Sequence, residues 1–410
     1  MTSIKLCQKS KGDNQEGQIK EVVIINNNEL IGIAKRLIGI PGYVELEKKE
    51  ADVAICLKDI LDGYGLDARL MPVPGNRYNV YCSYGKGSSG KTLLLTTHLD
   101  TVPGYEMKNA FEPYIKDGRL YGRGAVDVKG ILAAMTMAMK RLKQENVKLN
   151  GKAIFLGVAD EESGSAGMRT AVQNDLIHAD LAVIGEPTDL NLGIAHKGVM
   201  WIEVVFYGKS THGGSPELGK NAIYYASSFI ERVKNLLIPE LNTRNHGLLG
   251  RSTINIGTIQ GGTRPTIVPD QCTIQFDRRL IPGESISEAI LEIDRILNGL
   301  SVGNEGFRYG MNVLLGNTDQ PFPVLNTDHN DPSVKIIGQS ISAVLQKEIN
   351  EVGLPFWTDA ALFQYVTGKP AVIFGPGRIE QAHSDNEYVE TEDLQKASDI
   401  YYQMIMDYCA

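Results

Sequence analysis

Two residues at the end of an apolar run have types and spacing suited to metal chemistry. His98 and Asp100 lie two residues apart in LLLTTHLDTVPG, so on a strand end their side chains would point to the same face. A carboxylate that accepts the second imidazole N–H fixes the tautomer and orientation of a metal-bound histidine. The spacing predicts a ligand, His98, with Asp100 as its orienting partner, although a lone His-Asp pair is more often a surface hydrogen bond.

Further acids and one histidine follow other apolar runs in the same way. They are Asp127, Glu161, Glu162, Glu186 and His383. Ligands of open α/β sheets bind at the carboxyl ends of the strands, so we expect these segments to converge on one crevice. Nitrogen and oxygen donors without a thiolate suit Zn²⁺, Co²⁺ or Mn²⁺. Two ions that share one carboxylate would leave either Glu161 or Glu162 free as a general base.

A competing motif, GKGSSGKT, fits the phosphate-binding pattern G-x-x-x-x-G-K-[ST]. A working phosphate loop needs a helix directly after it, because helix amides point at the phosphates. The next segment, TLLLTTHLDTVPG, instead has the composition of a strand. We therefore expect a hairpin turn joining YNVYCSY to TLLLTTHL, and a nucleotide-binding protein is kept as the rival hypothesis.

The composition is that of an ordinary soluble protein. Of the 410 residues, 42% are hydrophobic and 22% are charged. No apolar run approaches the roughly 18 residues of a membrane span, so no membrane partner is expected. The net charge of −8, without clustered Lys and Arg, argues against nucleic acid. Five scattered cysteines argue against a disulfide framework, and the polar start without a secretory signal favours the cytoplasm.

An α/β framework is predicted to position these residues. Helical periodicity predicts two opening helices, in NELIGIAKRLIGIPG and EKKEADVAICLKDILDGYG. Short apolar runs and helices follow, which predicts a mixed, largely parallel sheet flanked by helices. The predicted strands are YNVYCSY, TLLLTTHL, KAIFLGVA, ADLAVIG and KPAVIFG.

The pattern changes to β-α-β-β-α-β within one internal segment, which is the order of a ferredoxin-like unit. We therefore predict a polar lead-in over residues 1–28 and a catalytic domain over 29–196 and 317–410. The segment 197–316 is predicted to be an inserted lid and dimerisation domain.

The chain resembles the zinc-dependent deacylases and carboxypeptidases, which include acetylornithine deacetylase, succinyl-diaminopimelate desuccinylase, aminoacylase and the glutamate carboxypeptidases. The motifs occur in the family's order from Glu29 to the C-terminus: HLDTVPG, GRGAVDVKG, ADEESGS, GEPTD, STHGGSPELGKNA and AHSDNEYV. This resemblance implies that His98 and Glu186 would bind one zinc, that His383 and Glu162 would bind the other, and that Asp127 would bridge them.

The resemblance also implies roles around these ligands. Asp100 would orient His98, Glu161 would activate the water, and the peptide bond after Asp127 would be cis. Glu186 lies in GEPT, where the aminopeptidase branch of the family carries Asp, so the resemblance is to the deacylase and desuccinylase side.

Residues of the inserted segment match as well. His212 in STHGGSP would reach across a homodimer to stabilise the oxyanion in the partner's active site. Arg279 in FDRRL would hold the substrate carboxylate, while Arg278 would be either a solvated neighbour or the functional arginine. Pro265 and Thr266 replace the Asn of many relatives, which leaves the substrate contact at Thr266 open. The other histidines are interpreted as surface or packing residues: His178, His196, His246 and His329.

The predicted reaction is hydrolysis of the amide bond of an N-acyl amino acid similar to N-acetylornithine or N-succinyl-diaminopimelate. Two Zn²⁺ ions, replaceable by Co²⁺ or Mn²⁺, would activate the water with Glu161 as general base. A dipeptidase or carboxypeptidase of the same family is the nearest alternative. A nucleotide-binding protein and a non-catalytic, metal-stabilised binding protein are alternatives of other classes.

Overall fold

The computed structural model describes residues 27–87, 90–173 and 177–410. The predicted lead-in over residues 1–28 lies outside the described residues, except for Asn27 and Asn28. These two residues belong to the first helix.

The secondary structure elements have the following bounds. The strands are β1 (Arg69–Val73), β2 (Arg77–Tyr84), β3 (Thr92–His98), β4 (Tyr114–Lys116), β5 (Arg119–Tyr121), β6 (Lys152–Val158), β7 (Leu181–Ile184), β8 (Leu192–His196), β9 (Gly198–Tyr207), β10 (Asn245–His246), β11 (Gly250–Arg251), β12 (Thr253–Gly261), β13 (Gln271–Leu280), β14 (Arg308–Leu315), β15 (Leu325–Asn326), β16 (Glu351–Leu354), β17 (Ala371–Ile373) and β18 (Tyr388–Glu390). The helices are α1 (Asn27–Ile38), α2 (Ala51–Gly63), α3 (Lys129–Gln144), α4 (Ala166–Val172), α5 (Ala222–Arg232), α6 (Ile238–Leu241), α7 (Ile286–Ser301), α8 (Pro332–Leu345), α9 (Ala360–Thr367) and α10 (Thr391–Cys409).

A mixed α/β sheet forms the larger part of the molecule, as predicted. Its strand order is β1-β2-β6-β3-β7-β17-β8-β15, with β16 also paired to β8. The central pairs β6–β3, β3–β7 and β7–β17 are parallel. Leu93 and Leu95 pack into the core beneath α1, α3 and α10, whereas Leu94 packs on the opposite face with α4 and α9. Side chains alternate between the faces of a strand, so a continuous apolar run suits a strand buried on both sides.

The predicted hairpin between β2 and β3 is wrong. Strand β6 lies between them and pairs antiparallel with β2 and parallel with β3. The described residues of the connecting loop instead contact the residues that precede β6, where Gly87 N donates to Gly151 O at 3.2 Å and Gly90 N donates to Asn150 O at 3.2 Å. Turn composition indicates only that the chain reverses locally, whereas the pairing is decided by a buried strand that comes much later in the sequence. The helix that a phosphate loop requires is also absent at this position, because strand β3 directly follows the Gly-rich segment.

The inserted unit has its own sheet and core. Its strands are ordered β12-β13-β9-β14 and are antiparallel, and with α5 and α7 they follow the predicted β-α-β-β-α-β sequence. Phe206 and Ile274 of the sheet pack against Phe229 of α5 and Ile293 of α7. The helices therefore cover one face of this sheet, while Trp201 on the other face is 48% exposed.

The chain enters and leaves the inserted unit at one place. Val199 N, at the start of β9, donates to Phe322 O on the returning segment at 3.0 Å. Just before this point, His196 of β8 pairs with Leu325 of β15. The outgoing and returning segments are thus hydrogen-bonded neighbours.

His196 is a packing residue of this junction, as interpreted from the sequence. It is fully buried, its Nδ1 lies 3.0 Å from Lys197 O, and its Nε2 lies 3.3 Å from Thr358 N. Thr358 N–H can only donate, so Nε2 accepts and Nδ1 carries the proton. Burial lowers the pKa of His196 to about 4, so the ring is neutral.

Two further observations concern the described cysteines and helices. Cys56, Cys82, Cys272 and Cys409 are free and buried, so none forms a disulfide. No described helix combines the length and the apolar character needed to cross a bilayer.

Candidate active site

A cluster of acids and histidines lies at the carboxyl edge of the large sheet. His98 is the last residue of β3, Glu162 follows β6, and Asp127 precedes α3. One potential ligand atom from each of these three side chains lies within 4.8 Å of the others, which suits a metal ion. The parallel strands end at this edge, so residues far apart in sequence meet here.

Asp127 lies between the two histidines. Its Oδ1 is 3.0 Å from His98 Nε2, and its Oδ2 is 3.2 Å from His383 Nε2. Each oxygen of one carboxylate therefore faces a different imidazole. The Asp127–Val128 peptide bond is cis, as the resemblance implies.

The remaining predicted ligands extend the cluster on either side. Glu186 Oε1 lies 3.7 Å from His98 Nε2, and Glu162 Oε1 lies 3.1 Å from His383 Nε2. The structure thus brings together all five residues that were predicted as ligands. They form two histidine–carboxylate pairs with Asp127 between them.

Asp100 holds the backbone of the glutamate pair. Its Oδ1 accepts the N–H of Glu161 at 3.2 Å, and its Oδ2 accepts the N–H of Glu162 at 3.1 Å. His98 Nδ1 lies 2.9 Å from the backbone oxygen of Asp100 and 3.6 Å from Oδ1. His98 Nδ1 therefore lies nearer to the carbonyl than to the carboxylate of Asp100, and the same carboxylate also fixes the turn that carries Glu161 and Glu162.

Burial governs the acidity of the carboxyl groups. It raises the pKa of Glu161 and of Glu186 well above the ordinary range, and it raises the pKa of Glu162 with Asp127 adding to the effect. Burial also opposes ionisation of Asp127, but hydrogen bonds from His383 and His98 outweigh it and lower the pKa of Asp127. Negative charge is therefore concentrated on Asp127 and is costly elsewhere in the cluster.

The histidines respond in the opposite direction. Burial lowers the pKa of His98, but hydrogen bonds to Asp100 and Asp127 outweigh it and raise the pKa well above its ordinary value. Hydrogen bonds to Asp127 and Glu162 raise the pKa of His383 to about 10. The acids thus attract positive charge to both rings. A divalent cation bound by neutral imidazoles would supply that charge in place of the protons, so this donor set fits a metal ion.

Three buried charged residues support the turn before Glu161, and the sequence analysis missed them. Asp160 has left-handed backbone, with φ of 72°, and its carboxylate pairs with Arg77. Arg77 Nε in turn lies 3.3 Å from Glu50 Oε1, and Arg77 and Glu50 are almost completely buried. Nothing in the local sequence marks Arg77 or Glu50, because their role depends on burial by distant segments.

Asp359 is a further carboxyl group that the sequence analysis missed. It precedes α9 without capping it, and it is 2% exposed. Burial raises its pKa to about 7, while the Ser165 hydroxyl acts in the opposite direction. An acid before an apolar helix is an ordinary helix start, so the sequence carries no signal for a buried position.

The predicted residues of the inserted unit form a separate group. His212 and Thr266 are exposed and lie on adjoining segments, where Gly213 N donates to Thr266 O at 2.7 Å. Arg279 is partly exposed, and its Nε donates to Asp277 Oδ2 at 2.7 Å. Within the described residues, no hydrogen bond or ion pair joins this group to the cluster around Asp127.

Neighbouring arginines on β13 have different environments. Arg278 is 0% exposed, and its Nη2 lies 2.8 Å from Glu284 Oε1 and 3.4 Å from Glu292 Oε2. Arg279 points to the other face of the sheet, where its ion-pair partner within the described part of the chain is Asp277. Arg278 is thus a core residue, and Arg279 has a guanidinium group that a ligand can reach.

Known proteins share this fold. The family model for Peptidase family M20/M25/M40 matches residues 94–407. Aminopeptidase PepT from Bacillus cereus is 22% identical, with a TM-score of 0.76 over 94% of this chain and 100% of that chain. An M20 family metallo-carboxypeptidase from Sulfolobus solfataricus is 23% identical, with a TM-score of 0.75 over 93% of this chain and 99% of that chain.

A third solved structure carries the same architecture. It is a Bacillus subtilis protein described as a dinuclear metal binding peptidase from the M20 family. It is 18% identical, with a TM-score of 0.70 over 92% of this chain and 97% of that chain. At these identities, the three likenesses establish the fold.

Proposed function

Since the chain belongs to the peptidase family M20/M25/M40, we propose that it hydrolyses the amide bond of a small N-acyl amino acid in a metal-dependent reaction. The products would be a carboxylic acid and a free amine. The observation that carries this proposal is the position of Asp127, which presents one carboxylate oxygen to each of His98 and His383. One carboxylate between two nitrogen ligands is the arrangement that a pair of metal ions requires.

Two ions would be held by the side chains of the cluster. His98 and Glu186 would bind one ion, His383 and Glu162 would bind the other, and Asp127 would be shared. Nitrogen and oxygen donors suit Zn²⁺, with Co²⁺ or Mn²⁺ as substitutes. When bound, the ions would polarise the scissile carbonyl group and acidify a water molecule.

Glu161 would act as the general base. Its backbone N–H donates to Asp100 Oδ1, and its carboxyl interacts electrostatically with His98 and Glu186. It would take a proton from the attacking water and return it to the leaving amine.

The inserted unit would complete the site when substrate binds. Arg279 would hold the substrate carboxylate with its planar guanidinium group. His212 would stabilise the oxyanion from a second copy of the chain, which requires a homodimer. Thr266, next to His212, would contribute to the substrate contact. Closure of the inserted unit over the substrate would bring these groups to the reacting atoms.

A peptidase that acts on a small peptide is the second candidate. The solved structures similar to this chain include an aminopeptidase and a carboxypeptidase. Glu186 favours the deacylase, because the resemblance places Asp at this position in the aminopeptidase branch.

The test is release of free amine from two substrate panels. One panel contains N-acetyl, N-succinyl and N-formyl amino acids, and the other contains dipeptides and tripeptides. Metal-loaded protein is compared with chelator-treated protein and with treated protein that has received Zn²⁺ again. We expect hydrolysis of the acyl amino acids that is lost with chelator and restored by Zn²⁺.

Other outcomes would redirect the assignment. Preference for the peptides would establish the second candidate in place of the deacylase. Chelator-insensitive hydrolysis would contradict the metal-dependent mechanism. Tight binding of ATP with Mg²⁺, without hydrolysis of either panel, would favour the nucleotide-binding rival.

A further inference from the structure

A buried glutamate outside the predicted site contacts the turn that carries Asp127. Glu387 lies four residues after His383 in AHSDNEYV and directly before β18. It is 0% exposed. An ionised carboxyl at such depth requires several hydrogen-bond partners or a cation.

The carboxylate of Glu387 meets that requirement with groups of one turn. Its Oε1 accepts the backbone N–H groups of Gly124 at 2.9 Å, Val126 at 3.0 Å and Asp127 at 3.2 Å. Its Oε2 accepts from Nη1 of Arg123 at 2.6 Å. All four donors lie within five consecutive residues that end at Asp127, so the turn is wrapped around this carboxylate.

The backbone of the turn is shaped for this contact. Gly122 and Gly124 have φ of 148° and 91°, which side chains disfavour, and Gly122 N also donates to Glu387 O at 3.3 Å. Successive backbone N–H groups that converge on one point form an anion-binding concavity. Here the anion is a side chain of the protein itself. Because three neighbouring N–H groups converge on one oxygen, the N–H of Asp127 is held in a fixed position.

A carboxylate also holds the other turn that carries a predicted ligand, the turn with Glu161 and Glu162. Asp100 accepts the N–H groups of Glu161 and Glu162, as Glu387 accepts that of Asp127. Each turn is therefore fixed through its backbone by a carboxylate that is not itself a predicted ligand. Glu387 has an additional effect, because its own segment carries His383 and thus links that histidine to Asp127.

We propose that Glu387 is the positioning residue for the bridging carboxylate, and this inference rests on the proposed two-metal function. By holding the backbone at Asp127, it keeps one oxygen toward His98 and the other toward His383. A displaced Asp127 could still turn toward one ion but could not serve both. Loss of the Glu387 contacts is therefore expected to weaken binding of the second ion far more than binding of the first.

The test is stepwise metal binding to the metal-free, full-length chain. Glu387→Asp keeps the charge opposite Arg123 but withdraws the carboxylate from the turn, and Glu387→Gln keeps the reach but removes the charge. Glu292→Gln is the matched control, because Glu292 is 7% exposed and pairs with Arg244 and Arg278 in the inserted unit. Zn²⁺ is titrated calorimetrically, and thermal unfolding of the metal-free proteins is followed by circular dichroism.

We expect both Glu387 variants to weaken the second binding step by about 10- to 100-fold, which is typical for groups that orient metal ligands. The first step should change little, and Glu292→Gln should keep both affinities although its melting temperature falls. If Glu387→Gln does not fold, Glu387→Asp alone decides the question.

Two results would overturn the inference in distinguishable ways. Glu387 variants that bind both ions with wild-type affinity, and lose only thermal stability as Glu292→Gln does, would reduce Glu387 to a residue of the core. A wild-type chain that binds a single ion would overturn the two-metal function as well.

Discussion

Two groups of polar side chains in this molecule are held by different means. His98 and Asp127 are buried, and the backbone N–H groups of Glu161 and Asp127 donate to the carboxylates of Asp100 and Glu387. His212 is exposed on the inserted unit, whose hydrophobic core is separate from the cores of the large sheet. The first group is thus buried and held by carboxylates of the folded chain, whereas His212 lies on an exposed segment, where Gly214 N donates to its Nδ1.

This difference separates two tasks of a hydrolytic site. Groups that bind metal ions and move protons need fixed geometry before substrate arrives, and rigid, buried supports provide it. Groups that grip a substrate gain from being on a unit that can adjust, because closure can then exclude water and complete the site. Substitutions in the two groups should therefore differ in kind as well as in size.

The largest effect is expected at Glu161. Replacing Glu161 with Gln should lower kcat by about 100- to 10,000-fold, because the variant has no group to accept the proton of water. Metal content should stay the same, since the ligands and the Asp100 contacts remain. Steady-state kinetics and metal analysis of the purified variant test this. Activity within tenfold of wild type would assign the base to another residue.

An intermediate effect should distinguish the adjacent arginines. Arg278→Met should lower the free energy of unfolding by about 3–5 kcal/mol, because it leaves the buried Glu284 and Glu292 without this partner. Arg279→Met should change it by less than about 0.5 kcal/mol, as for most surface substitutions, and should raise KM instead. Urea unfolding and kinetics of both variants test this. A large loss of stability in Arg279→Met with normal KM would reverse the assignment.

A smaller effect is expected from pH at the junction of the two units. The pKa of His196 is lowered from 6.5 to about 4 in the folded chain. Between these values the unfolded chain binds a proton that the folded chain does not, so stability is lost as pH falls from 6.5 toward 4. The loss is at most about 1.4 kcal/mol per pH unit.

Urea unfolding of the metal-free protein across this pH range measures the loss. In His196→Gln, the free energy of unfolding should depend less on pH, because one proton fewer is bound on unfolding. The control is the substitution of an exposed histidine, His329→Gln. If the free energy of unfolding fell equally steeply with pH in wild type and in His196→Gln, His196 would not be the cause of the acid sensitivity.

Local sequence patterns were sufficient to predict much of the fold and of the candidate site. Apolar runs predicted the buried strands. The rule that ligands bind at the carboxyl ends of parallel strands correctly predicted that His98, Asp127 and His383 lie together at one edge of the sheet. Membership of the wider peptidase family also follows from the motifs and is confirmed. These features depend on residues whose type and spacing are legible within a few positions.

Features that depend on distant segments could not be predicted in this way. Strand β6 separates β2 from β3 although nothing in their connecting loop indicates a third strand. Glu387 and Arg77 have ordinary local surroundings, and only the folded chain buries their charges. The hydrogen bonds from the backbone of Glu161 and Glu162 to the Asp100 carboxylate were not predicted, because these residues lie 61 and 62 positions further along the chain.

The hydrogen-bonded entry and exit of the inserted unit have an evolutionary consequence. Val199 and Phe322 are neighbours in the structure. The segment between them could therefore be exchanged for another without displacing the two ends of the large domain that flank it. Recombination at this point could replace the surface that we propose to bind substrate, while the cluster around Asp127 is inherited unchanged. New specificities can thus arise in one lineage without the chemistry being invented again.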